Sequence, residues 1–265
     1  MGGRGGRSHR ASGGGNTAVS DFLKGAYGDR HAQAVMRILA NAPEHIQEMW
    51  REFADSFRAG RLPSGSDGAY YSPLQDRVFL NIRDVAAGDT ISTPYSVLFH
   101  EYGHMTDYLI ARKNGHGSAV AYSELFIGVG ADGKPVMRHN SAGGLLGRTA
   151  KDELEGHIRR IQRQNPQMSR ERAADALVRE VNRKYNVRDR ADISDMFEGA
   201  GIGISYPMGA GHGLSYWTGR DSGKEIFAEI MSAEAAHPGS LRAIKEYFPS
   251  TYKVYQDMMK ARRKR

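Results

Sequence analysis

The sequence predicts an α+β domain that is mostly helical and contains a small sheet. Apolar residues recur every three or four positions over most of the chain, which is typical of amphipathic helices. Between residues 69 and 84 the chain is instead rich in β-branched and aromatic residues on either side of a turn. With 40% hydrophobic and 9% aromatic residues among 265, the chain has the composition of a globular core.

Two helical patterns open the domain, one from Val19 to Leu39 and one from Pro43 to Phe57. The strand pattern that follows predicts a hairpin with its turn at residues 72–76. Its second strand is expected to run from Arg77 to Ile82. The sheet is therefore predicted to stand just upstream of the next helix.

The next helix is expected to be about twenty residues long, and its boundaries are marked on both sides. Thr93 is a good N-cap and Pro94 suits the first helical position. Arg112 and Lys113 fall in the last turn, and Gly115 can take a left-handed cap. This helix contains the stretch H-E-Y-G-H.

The second half of the chain alternates glycine-rich and helical stretches. Residues 115–148 predict an irregular segment with a short hairpin around A-D-G-K-P-V. Two helices are expected at Lys151–Gln164 and Arg170–Tyr185. After a second glycine-rich stretch, the helical patterns K-E-I-F-A-E-I-M-S-A-E-A-A and S-L-R-A-I-K-E-Y-F-P-S-T-Y-K-V-Y-Q-D-M-M close the chain.

The net charge of +7 is concentrated at the two ends of the chain. Residues 1–16 form a Gly/Arg-rich stretch without acids, predicted to be a disordered linker, and residues 260–265 form a basic tail. Residues 17–259 are close to neutral and predict one domain. We expect contact with nucleic acid to be weak at most and to involve the basic tails. The linker also suggests that a further segment precedes it in a longer polypeptide.

Composition restricts the chemistry that the chain can support. The chain has no cysteine, so a metal must be held by His, Asp or Glu side chains. Neither a signal-peptide pattern nor an apolar run long enough to span a bilayer is present, so no membrane partner is expected.

The H-E-Y-G-H stretch has the spacing of a zinc site. His100 and His104 lie four residues apart and so share one face of the predicted helix. Glu101 can act as a general base on a water that the metal activates. The alternative is a pair of partly buried histidines that are satisfied by hydrogen bonds.

A catalytic zinc usually has three protein ligands, so a third must come from elsewhere. The motif does not extend to a third histidine, because Asp107 and Ile110 occupy the required glycine and histidine positions. The stretch K-E-I-F-A-E-I-M offers Glu225 and Glu229 on one helical face. Alternatively, Glu225 closes a capping box with Ser222.

Six blocks carry a resemblance to a known family: A-Y-Y-S-P-L-Q-D-R-V-F-L-N-I, L-F-H-E-Y-G-H-M-T-D-Y, D-I-S-D-M-F-E-G-A, G-H-G-L-S-Y-W, K-E-I-F-A-E and I-K-E-Y-F-P-S-T-Y-K-V-Y. In that order they resemble the zincin-like metallopeptidase domain of phage minor head proteins. The E-x-F-A-E block also resembles the catalytic domains of anthrax lethal factor and related toxins, which are gluzincins. The resemblance implies a zincin-like fold with Glu225 as the third zinc ligand.

Further residues receive roles as hypotheses. Asp107 and Glu229 are interpreted as acceptors that orient the histidines, with solvated helix charges as the alternative. His212 and Tyr216 are candidates to donate to the oxyanion, with ordinary packing or a surface loop as the alternative. An edge strand is expected to bind an extended substrate through its backbone. That strand comprises Val78, Phe79, Leu80 and Asn81.

The sequence therefore predicts a zinc metalloendopeptidase that acts on a protein or peptide substrate. Two alternatives remain open. One is a structural phage head module whose zinc supports the fold and whose partners are other phage head proteins. The other is a toxin-like effector protease. The family resemblance implies a location in the virion or in the cytoplasm of the bacterial host.

Overall fold

The computed structural model describes residues 13–62, 68–139, 144–217 and 222–263. This part of the chain is mostly helical and has two small sheets, which confirms the predicted α+β class with helices predominating. None of its helices combines the length and the apolar composition needed to cross a membrane.

The elements follow one another along the chain with short connections. The first helices are α1 (Gly13–Tyr27), α2 (Asp29–Asn41), α3 (Glu44–Phe53), α4 (Ile82–Ala87), α5 (Ser96–Lys113) and α6 (Tyr122–Leu125). The later helices are α7 (Leu145–Gln164), α8 (Arg170–Lys184), α9 (Ala191–Gly199), α10 (Leu214–Trp217), α11 (Gly223–Ala236), α12 (Pro238–Tyr247) and α13 (Pro249–Ala261). The strands are β1 (Ala59–Gly60), β2 (Tyr70–Ser72), β3 (Arg77–Phe79), β4 (Phe126–Val129) and β5 (Pro135–Met137).

The opening of the domain contains one more helix than predicted. Gly28 has φ 82° and separates α1 from α2, so the pattern from Val19 to Leu39 is not one continuous helix. Glycine adopts a positive φ with little steric cost, and this conformation at Gly28 interrupts the helix.

Described helices overlap with both predicted tails. Residues 1–12 lie outside the described part, but Gly13–Asn16 of the predicted linker belong to α1. Residues 264–265 also lie outside it, whereas α13 continues to Ala261. Arg262 is only 9% exposed and pairs with Glu52 at 2.7 Å, so the start of the basic tail packs on the body.

The predicted hairpin is confirmed, but its second strand is not an edge. Strand β3 pairs with β2 on one side and with β1 on the other, in the order β1-β3-β2. Val78, Phe79 and Leu80 are buried, and the side chain of Asn81 accepts a hydrogen bond from the Arg83 N–H at 3.1 Å as the N-cap of α4. Val78 and Phe79 therefore cannot bind a substrate strand as predicted, because β1 and β2 occupy both sides of them. Leu80 and Asn81 lie beyond the end of β3.

The start of α5 differs from the prediction for a tertiary reason. Thr93 does not cap the helix, because its hydroxyl donates to the Ala236 carbonyl at 3.1 Å and so ties the start of α5 to the end of α11. The helix begins at Ser96, after Tyr95 in a left-handed conformation with φ 66°. Its C-terminal end matches the prediction, with Gly115 at φ 84°.

In the second half, the predicted hairpin is confirmed as the antiparallel pair β4–β5. Helix α7 begins six residues before the predicted Lys151, and α8 has the predicted start at Arg170. The sequence analysis missed α9. The last predicted helix is two helices, α12 and α13, since Pro249 starts a new helix after Phe248.

Helices α5 and α11 pack against each other at the centre of the domain. A Cβ atom added to Gly103 on α5 would lie 3.0 Å from the Ala228 Cα on α11, so the two backbones approach as closely as side chains allow. Trp50 of α3 packs on Phe99 and Tyr102 of α5, and all three side chains are fully buried. The helix is thus covered on most of its faces, which holds it in a fixed position.

We predict that Gly103→Ala destabilises the fold by about 1–3 kcal/mol, because the added methyl group forces α5 and α11 apart. The matched control is Gly156→Ala on α7, where nothing lies within 4 Å of the added Cβ. That change should stabilise the protein by about 0.5–1 kcal/mol, because alanine loses less entropy in a helix. Urea unfolding of both variants measures the difference. Equal stability of Gly103→Ala and the parent would mean that the helices do not need this close contact.

Candidate metal centre

Three side chains from two helices converge on one point. The Nε2 atoms of His100 and His104 on α5 are 3.1 Å apart. The Oε2 atom of Glu225 on α11 lies 3.5 Å from His100 Nε2 and 3.2 Å from His104 Nε2. The four-residue spacing places the two imidazoles on one face of α5, and the close packing of α11 brings the carboxylate to them.

The two oxygens of Glu225 have different surroundings. Oε1 accepts a hydrogen bond from the Tyr216 hydroxyl at 2.5 Å. Oε2 is buried and accepts no hydrogen bond from any described residue, since its contacts with the histidines lack hydrogen-bond geometry. Ser222 makes no side-chain capping hydrogen bond, so the capping-box alternative for Glu225 is wrong.

A buried carboxylate oxygen without a donor is costly unless a cation satisfies it. The donor atoms of His100, His104 and Glu225 all lie within 4.8 Å of one another, so this group could hold a metal ion. Burial alone would raise the pKa of Glu225, but the His104 charge and the contacts with both histidines hold that pKa well below its usual range. The site therefore keeps an anionic ligand facing two imidazoles.

Glu229 lies one helical turn after Glu225 and contacts the His100 ring at Nδ1, the nitrogen that does not face Glu225. Its Oε2 is 3.4 Å from His100 Nδ1. Burial, its largest influence, raises the pKa of Glu229 to about 8. A carboxyl group at Nδ1 can orient the ring and leave Nε2 for a metal. The role of Glu229 as an orienting acceptor stays a prediction with which this position is compatible.

Asp107 does not have the predicted orienting role. Its two carboxylate oxygens accept hydrogen bonds from Ser123, one from the backbone N–H at 2.8 Å and one from the hydroxyl at 2.5 Å. Asp107 thereby ties α5 to α6. Complete burial raises its pKa to about 8, with the Ser123 hydrogen bonds opposing the shift.

The ligands open onto a cleft of about 390 Å³. Glu101 lies on its wall and is only 7% exposed. The opposite wall includes the start of the β2–β3 hairpin. The cleft is lined by Ala69, Tyr70, Tyr71, Pro73, His100, Glu101, His104, Tyr108, His212, Tyr216, Lys224 and Glu225.

His212 and Tyr216 reach this cleft from the glycine-rich segment before α11. Their rings stack with centroids 4.2 Å apart. The Tyr216 hydroxyl contacts the ligand Glu225 directly, whereas His212 is held by Asp195 of α9, with 3.0 Å between Nδ1 and Oδ1. Both predicted donors are thus beside the metal ligands, although Tyr216 is oriented toward a ligand.

Other residues of the site were not predicted. Strand β2, not β3, borders the cleft, and Tyr71 of β2 packs on Tyr108 of α5 with ring centroids 5.5 Å apart. Asp195 and Glu198 of α9 hold the segment that carries His212. They lie in the D-I-S-D-M-F-E-G-A block, where their three-residue spacing could have indicated two carboxylates on one helical face.

No protein-family model, curated protein or solved structure matches the chain. The family resemblance of the six sequence blocks therefore stays a prediction. The geometry of the described residues has to support any functional conclusion.

We predict that Glu225→Ala lowers zinc affinity by several orders of magnitude, because it removes a metal ligand and leaves two histidines. The matched variant is Glu229→Ala, one turn away on α11, which loses only an orienting contact and should cost about 10- to 100-fold. Competition with a fluorescent zinc chelator measures both affinities. The reverse order of effects would assign the ligand to Glu229.

We predict that Asp107→Asn removes a pH dependence of stability. The pKa of Asp107 is about 8 in the folded protein against an ordinary 3.8, so the folded state retains a proton that the unfolded state releases between those values. Stability of the parent should therefore fall as pH rises, by about 1 kcal/mol per pH unit. The asparagine can keep both contacts with Ser123.

Urea unfolding of the zinc-saturated parent and of Asp107→Asn at pH 5, 6.5 and 8 tests this expectation. The variant should gain stability relative to the parent at each higher pH. Parallel curves for the two proteins would show that Asp107 is already ionised in the folded state.

Proposed function

We propose that the chain is a zinc-dependent metallopeptidase of the gluzincin type. The observation that supports this most directly is the triangle of His100, His104 and Glu225 donor atoms, with edges of 3.1, 3.2 and 3.5 Å. Ligand atoms about 2.1 Å from a tetrahedral zinc ion lie about 3.4 Å from one another, so the triangle has the size of three tetrahedral positions.

The choice of zinc follows from the types of ligand. Two imidazoles and one carboxylate suit zinc better than calcium or magnesium, which prefer oxygen ligands. Three protein ligands with an open cleft beside them are typical of catalytic zinc, whereas structural sites are closed by four protein ligands. This comparison favours a catalytic site over one that only supports the fold.

When bound, zinc would polarise the peptide carbonyl and lower the pKa of the attacking water. Glu101 stands on the wall of the cleft and acts as the general base: it accepts a proton from the attacking water and then passes the proton to the leaving amine. Glu229 keeps the His100 ring oriented through Nδ1. His212 and Tyr216 line the cleft beside the ligands and can donate to the carbonyl oxygen as it becomes negative.

The proposed substrate is an extended peptide segment. Strand β2 pairs with β3 on one side, and no strand of the described part pairs with its other side. Since Tyr70 and Tyr71 of β2 line the cleft beside the ligands, an extended peptide can add to this edge and bring a peptide bond to the metal. A role in phage head processing or as an effector rests on the family resemblance alone.

We predict that Glu101→Gln leaves zinc content unchanged and abolishes peptide hydrolysis, because the amide has the shape of the carboxylate but cannot accept the proton. Zinc is measured by elemental analysis and hydrolysis with a peptide library. Glu124→Gln is the control: this glutamate pairs with Lys224 near the cleft but is not among the residues that line it.

Hydrolysis that persists in Glu101→Gln would rule out Glu101 as the base. Loss of zinc from Glu101→Gln would instead mean that Glu101 contributes to holding the metal. Absence of zinc from the reconstituted parent protein would contradict the proposed function as a whole.

A further inference from the structure

Two buried carboxylates of α9 hold the segment that carries His212 and Tyr216. Asp195 is 7% exposed and Glu198 is 2% exposed. They lie three residues apart and therefore share one face of the helix. Both carboxylates accept hydrogen bonds from N–H groups of the segment from Tyr206 to Trp217.

Glu198 holds this segment in place by accepting three hydrogen bonds from it. It accepts hydrogen bonds from the Gly213 N–H at 2.9 Å, from the Trp217 indole at 3.0 Å and from the Tyr206 N–H. None of these three groups is the ring of His212 or the hydroxyl of Tyr216. Glu198 thus holds the path of the backbone beside the cleft.

Asp195 makes a different kind of contact. Its Oδ1 accepts a hydrogen bond from the His212 N–H at 2.8 Å and lies 3.0 Å from the His212 Nδ1. An ionised carboxylate can only accept, so Nδ1 must carry the proton in this contact. The approach is possible because Gly211 has φ 115°, and a Cβ atom there would lie 3.0 Å from the same Oδ1.

We propose that Asp195 is a positioning residue, which holds His212 by Nδ1 so that its Nε2 serves the negative oxygen formed during peptide hydrolysis. This proposal rests on the proposed peptidase function and assigns a residue to it that the sequence analysis did not consider. Asp195 itself is not among the residues that line the cleft, whereas His212 is.

The chemistry of the pair supports this role. A carboxylate at Nδ1 favours the imidazolium, in which Nε2 also carries a proton to donate. Burial lowers the pKa of His212, but the Asp195 hydrogen bond and charge outweigh burial and raise it to about 8. The Glu225 charge acts in the same direction and the His100 charge against it.

Two dipeptide ligands test the proposal, each based on leucyl-tryptophan amide. One has an N-terminal phosphoryl group, which imitates a tetrahedral anion, and the other has an acetyl group. Titration calorimetry gives both affinities for the zinc-loaded full chain. All variants carry Glu101→Gln in addition, so that neither ligand is cleaved.

Asp195→Asn should weaken binding of the phosphoryl dipeptide about 10- to 100-fold and change binding of the acetyl dipeptide by about twofold or less. His212→Ala should give a similar selective loss. The combined variant should lose no more than His212→Ala alone, because Asp195 acts only through His212. Glu153→Gln is the control: Glu153 accepts hydrogen bonds from the N–H groups of Ser250 and Thr251 and is not among the residues that line the cleft, so the ratio of the two affinities should stay unchanged.

Equal losses for both ligands in Asp195→Asn, or additive losses in the combined variant, would overturn the proposal. So would a parent that does not prefer the phosphoryl dipeptide, or a His212→Ala variant that binds it normally; these two results decide even if Asp195→Asn fails to fold. A selective effect of Asp195 in a chain that cleaves no peptide would sustain the positioning of His212 by Asp195 and contradict the peptidase function.

Discussion

The close contact between α5 and α11 is the constraint on which the rest of the site depends. Neither helix alone has three metal ligands, because α5 supplies two imidazoles and α11 supplies one carboxylate. Gly103 lies between the two histidines in sequence and faces Ala228, three residues after Glu225. The absence of a side chain at Gly103 is what allows the carboxylate to come within 3.2 Å of an imidazole nitrogen.

The packing of α5 against α11 leaves several buried carboxyl groups around the ligands, and each of them needs a polar partner. Glu229 faces an imidazole, Asp107 is satisfied by Ser123, and Asp195 and Glu198 accept hydrogen bonds from N–H groups. The Oε2 atom of Glu225, which faces both imidazoles, is left without a hydrogen-bond donor among the described residues. A cation at the centre of the triangle would satisfy this oxygen.

The sequence was sufficient wherever the signal was local. The four-residue spacing of His100 and His104 and the helical period around Glu225 are local signals, and the structure brings these residues together. The sequence was insufficient where a residue from another helix determines the role of a side chain. Thr93 bonds to Ala236 instead of capping α5, and Asp107 bonds to Ser123 instead of a histidine. The edge of the sheet was misassigned for the same reason, since β1 has only two residues and no strand pattern that reveals it.

The glycine-rich segment before α11 is held by contacts with residues that precede it in the chain. Gly209, Gly211 and Gly213 all have positive φ. A run of glycines is typical of an irregular loop, because glycine adopts such angles at little cost. Here Gly211, where a Cβ atom would lie 3.0 Å from oxygens of Asp195 and Glu198, lets the N–H groups of His212 and Gly213 approach these carboxylates. The segment is therefore held in place by α9. A chain path held by buried carboxylates can present His212 at a defined position. For the proposed peptidase, a group placed in advance costs no reorganisation when charge develops, which gives a physical reason for a helix to hold a loop beside the cleft.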